Sequence, residues 1–203
     1  MLRKQLWPAI MLTFVLMIIT GLVYPGVVTG LAQLLFRGQA NGSLIVDANG
    51  QVVGSALIGQ SFARPEYFHS RPSAAGAGYD DTLSSGTNKG PTDTKLADTL
   101  IAQAVDSVVA QDSAVKGQIP SDMVTSSASG LDPHISPADA QLQIARVARA
   151  RAVPASKVEA LVAAHTEGRQ FGFFGEPRVN VLALNLALDS ALSTHPSTNR
   201  PAK

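Results

Sequence analysis

The chain contains no cysteine, few aromatic residues and a long N-terminal stretch without any charged side chain. Without disulfides, a domain of this length must be held together by its apolar core. Aromatic residues make up only 5% of the chain, which argues against a base-stacking platform or a sugar-binding cleft. The formal net charge is +1, and acidic and basic side chains are nearly balanced after residue 37. This balance argues against an electrostatic nucleic-acid binder.

The uncharged stretch, residues 5–36, is long enough to cross a membrane. About 20 apolar residues span a bilayer, and each charge at the centre of a membrane helix costs roughly 2.5–3.5 kcal/mol. We therefore predict a transmembrane helix over residues 9–31. A cleaved signal peptide is the competing interpretation, with Gly30 and Ala32 as a weak cleavage site. Its apolar core, however, should cover only about 7–15 residues.

Positive residues around the stretch predict its orientation. Arg3 and Lys4 precede it, whereas only Arg37 follows it closely. Because positively charged residues stay in the cytoplasm, residues 1–8 should be cytoplasmic. Residues 38–192 should then form an extracytoplasmic domain.

The predicted span also contains a spacing of small residues. Gly26 and Gly30 form a GxxxG pattern, which lets a second membrane helix approach closely. Pro25 removes one backbone donor from the same region. Two interpretations stay open: this helix docks on partner helices, or it shows only the glycine and proline common in membrane helices.

The remainder predicts an α+β fold, with one β-hairpin and about four helices in a single domain. Asn49-Gly50 lies between two β-rich runs and predicts a hairpin at residues 43–57. The polar, proline-rich residues 193–203 should form a flexible tail. Apolar spacing further predicts helices at 94–111, 136–150, 154–168 and 180–192, and a short strand at 123–125. Ser136, followed by Pro137, and Asn180 are the expected N-caps of two of these helices.

Residues 61–94 are dense in glycine, proline, serine, asparagine and aspartate, with no helical or strand period. A structureless loop of this length is uncommon in a domain unless it has a function. Its aromatic residues indicate an ordered surface loop. Phe62, Tyr67, Phe68 and Arg71 are of the types that dominate protein–protein hot spots, so we expect them to contact a partner. For Arg71, a structural bond to a loop carbonyl or an acid is the alternative.

The patterns of catalytic and metal sites are missing from the sequence. The four histidines are dispersed, which argues against a zinc site. Ser129, Asp132 and His134 are the residue types of a catalytic triad, but Gly-x-Ser-x-Gly is absent and the three lie too close in sequence. Residues 86–92, GTNKGPT, lack the order of a phosphate-binding loop. We therefore expect neither a catalytic centre nor a metal site.

Several segments together resemble the C subunit of the Kdp-type potassium-transporting ATPase of bacteria. In the family's order they are LIGQSF, YFHSRPSAAG, SSGTNKGPT, SGLDPHIS, RVARAR and GEPRVNVLALNLALD. The departures are slight: Thr87 stands where the family often has serine, and Ala128 where glycine is common. The resemblance covers nearly the whole chain.

The resemblance implies a non-catalytic accessory subunit of an ATP-driven, high-affinity potassium uptake complex in the bacterial inner membrane. Its partners would be the lipid bilayer, a channel-like potassium-binding subunit and a P-type ATPase subunit. The family's C subunit is described as assembling or stabilising the complex and raising the ATP affinity of the catalytic subunit. A membrane-anchored extracytoplasmic scaffold or binding module unrelated to transport is the alternative.

ATP association is implied by the resemblance only. SASGLD resembles an ABC-type signature, which would make Gln141 or Gln143 a nucleotide ligand. The predicted orientation disagrees, because ATP is inside the cell. We expect instead that any effect on nucleotide affinity passes through the membrane by biasing one conformational state.

The predicted topology can be tested with a single cysteine, since the chain has none. A Ser113→Cys chain should react with an impermeant thiol reagent added outside intact cells. Labelling only after lysis would contradict the orientation. A mature N-terminus near Gln33, measured by mass spectrometry, would instead show that the span is cleaved.

Overall fold

The computed structural model describes the whole chain except residues 1, 48, 113–115 and 193–203. The predicted flexible tail and Ser113 lie outside the described residues. The chain divides into two units, Met1–Val53 and Gly54–Lys203.

The first unit contains one long apolar helix, from Arg3 to Leu35, with a mean hydropathy of 2.3 in its most apolar window. By length and composition this helix can cross a membrane. Pro25 has no backbone N–H and crowds the carbonyl four residues earlier, which explains a π-helical turn just before it. The segments in order are α1 (Leu2–Ile18), the π-helical turn (Ile19–Val23) and α2 (Tyr24–Leu35).

The predicted docking glycines lie in α2. Within the described residues, nothing comes within 4 Å of a Cβ built on Gly26 or Gly30. This face is therefore open to a second helix, and contact with a partner there stays a prediction. The exact boundaries of the lipid-embedded part, predicted at residues 9–31, also stay a prediction.

A short helix, α3 (Arg37–Ala40), is followed by the predicted hairpin. Its strands, β1 (Leu44–Val46) and β2 (Val52–Ser55), pair in a two-stranded sheet. The Asp47 carboxylate closes the turn by accepting the backbone N–H groups of Asn49 at 2.8 Å and Gln51 at 2.9 Å. The hairpin prediction is confirmed.

The second unit contains the four predicted helices. Ser136 Oγ accepts the Asp139 N–H at 3.0 Å, and Asn180 Oδ1 accepts the Ala183 N–H at 3.0 Å, so the expected caps form. The third helix ends at Ala164 rather than at Gly168, because the chain then enters a strand. The helices are α4 (Ala102–Asp112), preceded by a π-helical segment (Lys95–Ile101), α5 (Pro137–Arg151), α6 (Ala155–Ala164) and α7 (Val181–Leu192).

A small antiparallel sheet of order β3–β5–β4 completes the second unit. Val179 of the central strand lies opposite both Ile135 and Thr166. These strands have two or three residues each, too short to produce an alternating pattern. They are β3 (His134–Ile135), β4 (Thr166–Glu167) and β5 (Arg178–Asn180).

The predicted strand at residues 123–125 is wrong. The chain forms a 3₁₀ turn at Ser121–Met123 instead. Thr125 Oγ1 donates to the Ser121 carbonyl at 2.7 Å, which closes this turn with a side chain of high β propensity.

The core of the second unit is shared by its helices, its central strand and the long loop. Tyr67 and Phe68 of the loop are buried, so its prediction as an ordered segment is confirmed. Together with the helices and sheets, this gives the predicted α+β class. The largest fully buried apolar side chains are Phe68, Ile135, Leu184, Leu188, Val147, Val158, Val179 and Val181.

Candidate functional site

Residues 62–80, here called the anchored loop, are held from two sides by amide side chains. Asn185 of α7 accepts the Phe68 N–H at 2.8 Å and donates to the Phe68 carbonyl at 2.9 Å. Gln143 of α5 accepts the His69 N–H at 2.7 Å and donates to the His69 carbonyl at 3.1 Å. Each amide thus replaces a neighbouring strand, so the backbone N–H and C=O groups of two successive residues are satisfied without a sheet.

Arg146 is the charged centre of this arrangement. Its Nη1 donates to the carbonyls of Pro65 and Tyr67, both at 2.8 Å, and its Nε donates to Asp112 Oδ1 at 2.7 Å. Its Nη2 donates to Gln143 Oε1 at 2.5 Å. Only 7% of the Arg146 side chain and 3% of the Asp112 side chain are exposed. One buried guanidinium therefore joins α4, α5 and the anchored loop.

A second arginine holds the start of the anchored loop against α7. Arg151 Nε donates to the Glu66 carbonyl at 2.7 Å, and its Nη2 donates to Asp189 Oδ1 at 2.8 Å. The Tyr67 hydroxyl donates to the other oxygen of Asp189 at 2.9 Å, and the Arg151 guanidinium lies 5.0 Å from the Tyr67 ring centre. Tyr67 is thus fixed by both its ring and its hydroxyl.

The far end of the anchored loop packs against residues 125–132. Arg71 Nη1 contacts Asp132 Oδ2 at 3.2 Å, and its other nitrogens donate to the Thr125 carbonyl at 3.4 Å. Burial alone would raise the pKa of Asp132, but hydrogen bonds from His134 and the charge of Arg71 outweigh it and lower that pKa. The structural alternative for Arg71, a bond to a loop carbonyl and an acid, is what the geometry shows.

The anchored loop and residues 125–132 pack too closely at Gly130 to leave room for a side chain there. Ser73 Oγ donates to the Gly130 carbonyl at 2.6 Å, and the Tyr79 hydroxyl donates to the Arg71 carbonyl at 2.9 Å. Burial raises the pKa of Tyr79 to about 12. Gly130 has φ +68, and a Cβ there would lie 2.7 Å from the Ala75 backbone nitrogen. Glycine is therefore required at position 130, where the two segments are in contact.

A cavity of about 190 Å³ lies beside the anchored loop. This volume is smaller than the roughly 300–1,000 Å³ of typical ligand pockets. Asp139 lies at its wall, only 1% exposed, and accepts the Gln143 amide at 2.6 Å. Burial raises the pKa of Asp139 to about 8, the Gln143 bond opposes the rise, and the charges of Asp122 and Asp112 add to it. The cavity is lined by His69, Ser70, Pro72, Ala104, Ser107, Val108, Gln111, Asp112, Met123, Asp139 and Gln143.

His69 joins the cavity to the anchored loop. Its Nε2 lies 3.2 Å from the Arg64 carbonyl and 3.4 Å from Arg146 Nη1. Burial and then the positive charge of Arg146 lower the pKa of His69. A neutral ring suits this position, because a second positive charge beside Arg146 would be unfavourable.

The structure separates the two glutamines proposed as nucleotide ligands. Gln143 is 1% exposed, and its amide is occupied by His69, Asp139 and Arg146. Gln141 is exposed on another face of α5. They do not form one site, and Gln143 has a structural role.

The other predicted site residues fall into separate environments. Phe68 is fully buried, whereas Phe62 is half-buried with its ring centre 5.6 Å from that of Tyr67. Partner contact by Phe62, Tyr67, Phe68 and Arg71 stays a prediction. Burial means that Tyr67 and Phe68 would act through the shape of the anchored loop.

Two of the three residues of triad type make contacts that shape their own loop. Ser129 Oγ accepts the Leu131 N–H at 3.1 Å, and Asp132 accepts the His134 N–H at 3.0 Å, so both are loop-forming contacts. Across the part of the chain that the structure describes, no cluster of three or more His, Asp or Glu could hold a metal ion.

Sequence reasoning missed the residues that hold the loop. Asp139, Gln143 and Arg146 are spaced four and three apart, which places them on one helix face. That face also carries buried apolar residues. Three polar residues on the core-facing side of a helix were therefore the signal in the sequence. Asn185 gave a similar signal within the apolar run of α7.

The chain is similar along most of its length to proteins of one family. The profile of the family described as K⁺-transporting ATPase, c chain, matches residues 6–190. A potassium-transporting ATPase KdpC subunit of Gemmatimonas aurantiaca is 62% identical over 197 residues, covering 97% of this chain and 98% of the relative. That of Koribacter versatilis is 55% identical over 188 residues, covering 93% and 95%. That of Myxococcus xanthus is 59% identical over 175 residues, covering 86% and 82%.

The raised pKa of Asp139 predicts a pH-dependent stability. Protonation of Asp139 makes its full contribution to the stability of the folded state at pH values below 3.8, the ordinary pKa of an aspartate. This contribution is lost as the pH rises to about 8, the raised pKa in the folded state. Asp139→Asn keeps an oxygen for Gln143 but cannot ionise. It should therefore flatten the fall in unfolding free energy between pH 5 and 8, which has a limit of about 1.4 kcal/mol per pH unit.

The measurement is chemical unfolding of the full chain in detergent at a series of pH values, followed by near-ultraviolet circular dichroism. Asp98→Asn removes an exposed carboxylate and serves as the control, with the wild-type slope expected. An unchanged slope in Asp139→Asn would show that Asp139 does not take up a proton on folding.

Proposed function

The chain belongs to the family of KdpC subunits of potassium-transporting ATPases, and we propose that it assembles and stabilises its complex without a catalytic site of its own. Its partners are a channel-like potassium-binding subunit and a P-type ATPase subunit. The complex lies in the bacterial inner membrane, with the N-terminus of this chain in the cytoplasm and residues 38–192 outside.

One observation carries this proposal: the polar groups that could perform chemistry are engaged in fixing the anchored loop. Gln143, Arg146 and Asn185 bind its backbone. Arg71 is bound to Asp132 and Thr125. The anchored loop has no regular secondary structure, but these contacts fix its shape. A loop with a fixed shape loses little conformational entropy when it binds a partner, as a recognition surface requires.

The geometry around Gln143 also concerns how the family's C subunit raises the ATP affinity of the catalytic subunit. Gln143 is already satisfied, and the cavity beside it is small for a nucleotide. We propose that the chain raises the ATP affinity of the P-type subunit by favouring one conformation of the complex. A subunit can do so without touching the nucleotide.

The direct experiment compares the complex produced with and without this chain. With it, we expect higher yield of the assembled complex, growth at limiting potassium and a lower KM for ATP in ATP hydrolysis. Equal yield, growth and KM without the chain would overturn the accessory role.

Arg71→Ala tests the anchored loop within the complex. Truncated hot-spot residues typically cost about 2 kcal/mol or more of binding energy, so the variant should reduce co-purification and growth at limiting potassium. Lys89→Ala is the matched control, because both side chains are 23% exposed and paired with an acid. Equal assembly of the two variants would remove the anchored loop from the interface.

The span is tested by replacing Gly26 and Gly30 with leucine. The larger side chains should prevent close helix approach and weaken co-purification, while membrane insertion is kept. Gly21→Leu is the control, because that glycine also has open space and lies outside the GxxxG pair. An undiminished yield of complex would mean that the other unit suffices for assembly.

A further inference from the structure

Three phenylalanines lie exposed in residues 168–175, here called the Phe loop, which lies between β4 and β5. Phe171 is 89% exposed, Phe173 65% and Phe174 57%. Together they present on the order of 400 Å² of apolar surface, taking about 200 Å² for each side chain. This is within the range of the largest apolar patches of soluble monomers, which often mark an interaction surface.

The backbone of the Phe loop is fixed. Gln170 and Phe174 exchange two hydrogen bonds, both of 2.9 Å. Phe171, Gly172 and Gly175 have φ of +53, +83 and +73. A large aromatic residue seldom adopts this conformation, and Phe171 is also the most exposed of the three phenylalanines. The rings are thus presented by a preformed turn, which lowers the entropy lost on binding.

The residues that flank the three phenylalanines carry charges of both signs, which cancel. Arg169 pairs with Glu176 at 2.6 Å, and Arg178 pairs with Glu167 at 2.9 Å. All four side chains are at least 44% exposed. An apolar tip flanked by paired charges of both signs matches a zwitterionic bilayer, where acyl chains lie beneath phosphate and ammonium groups. An anionic surface would instead favour an excess of Lys and Arg.

The chain itself brings a bilayer within reach. Its apolar helix from Arg3 to Leu35 is long enough to cross a membrane. Lipid therefore surrounds part of the chain that this helix anchors. We propose that the Phe loop inserts its three rings into the interfacial region of a zwitterionic phospholipid bilayer.

A tryptophan reporter tests the insertion in the full chain, without other subunits. Trp7 is the single tryptophan, so a chain with Trp7→Phe and Phe173→Trp carries its reporter in the Phe loop. It is reconstituted in phosphatidylcholine vesicles and in vesicles of acyl-brominated phosphatidylcholine, where bromine quenches inserted tryptophan. We expect the brominated lipid to remove more than half of the emission.

Two controls separate lipid insertion from other causes. Leu83→Trp in the same background places the reporter at a 59% exposed apolar position outside the Phe loop, and its emission should be equal in the two lipids. Adding Phe171→Ser and Phe174→Ser to the Phe173→Trp chain should restore most of the lost emission.

Equal emission of the Phe173→Trp chain in both lipids would overturn the proposal. In a second reconstitution that includes the potassium-binding and P-type subunits, an emission shift absent from the chain alone would also overturn it, and would assign the Phe loop to a protein partner. A shift that depends on the protein-to-lipid ratio without bromine quenching would assign it to a second copy of the chain, and would equally overturn lipid insertion.

Discussion

The buried guanidinium of Arg146 is the interaction on which the arrangement of the second unit depends. It satisfies two loop carbonyls, one carboxylate and one amide from a position that is 7% exposed. An unpaired charge in such a place is strongly unfavourable, so Arg146 and its partners must be in place together. Because these partners come from α4, α5 and the anchored loop, their geometry is determined jointly.

The amide pairs extend this constraint along the loop. Gln143 is oriented by Arg146 on one side and by Asp139 on the other, and it holds the backbone of His69. Asn185 holds the neighbouring Phe68 from α7. A protonated Asp139 fits this network, since its raised pKa keeps another negative charge out of the core. The result is a shaped surface segment, suited to a subunit that binds other proteins.

Local signals in the sequence predicted much of the fold. Ser136-Pro137 and Asn180 predicted helix starts because capping depends on neighbouring residues alone, and Asn49-Gly50 predicted the hairpin for the same reason. The three-stranded sheet was not predicted, because its strands pair across long sequence separations and are very short. At residues 123–125, β propensity was overridden by the turn that Thr125 closes.

The site was less predictable than the fold, for a physical reason. The order of the anchored loop was inferred correctly from its aromatic residues, and Arg71 was left open between two roles. The polar groups that hold the loop lie far away in sequence, on α5 and α7, and their burial is decided by tertiary packing. The exposure of Phe171 likewise contradicts the usual burial of aromatic residues, and only the structure shows it.

The central claim is that buried side chains of α5 and α7 determine the shape of the anchored loop. Amide hydrogen exchange of the full chain in detergent tests it most directly, comparing wild type with Arg146→Ala and the exposed control Arg149→Ala. We predict much faster exchange at the amides of Phe68 and His69 in Arg146→Ala only, with α6 protected as in wild type. Unchanged protection of these two amides in Arg146→Ala would contradict the claim.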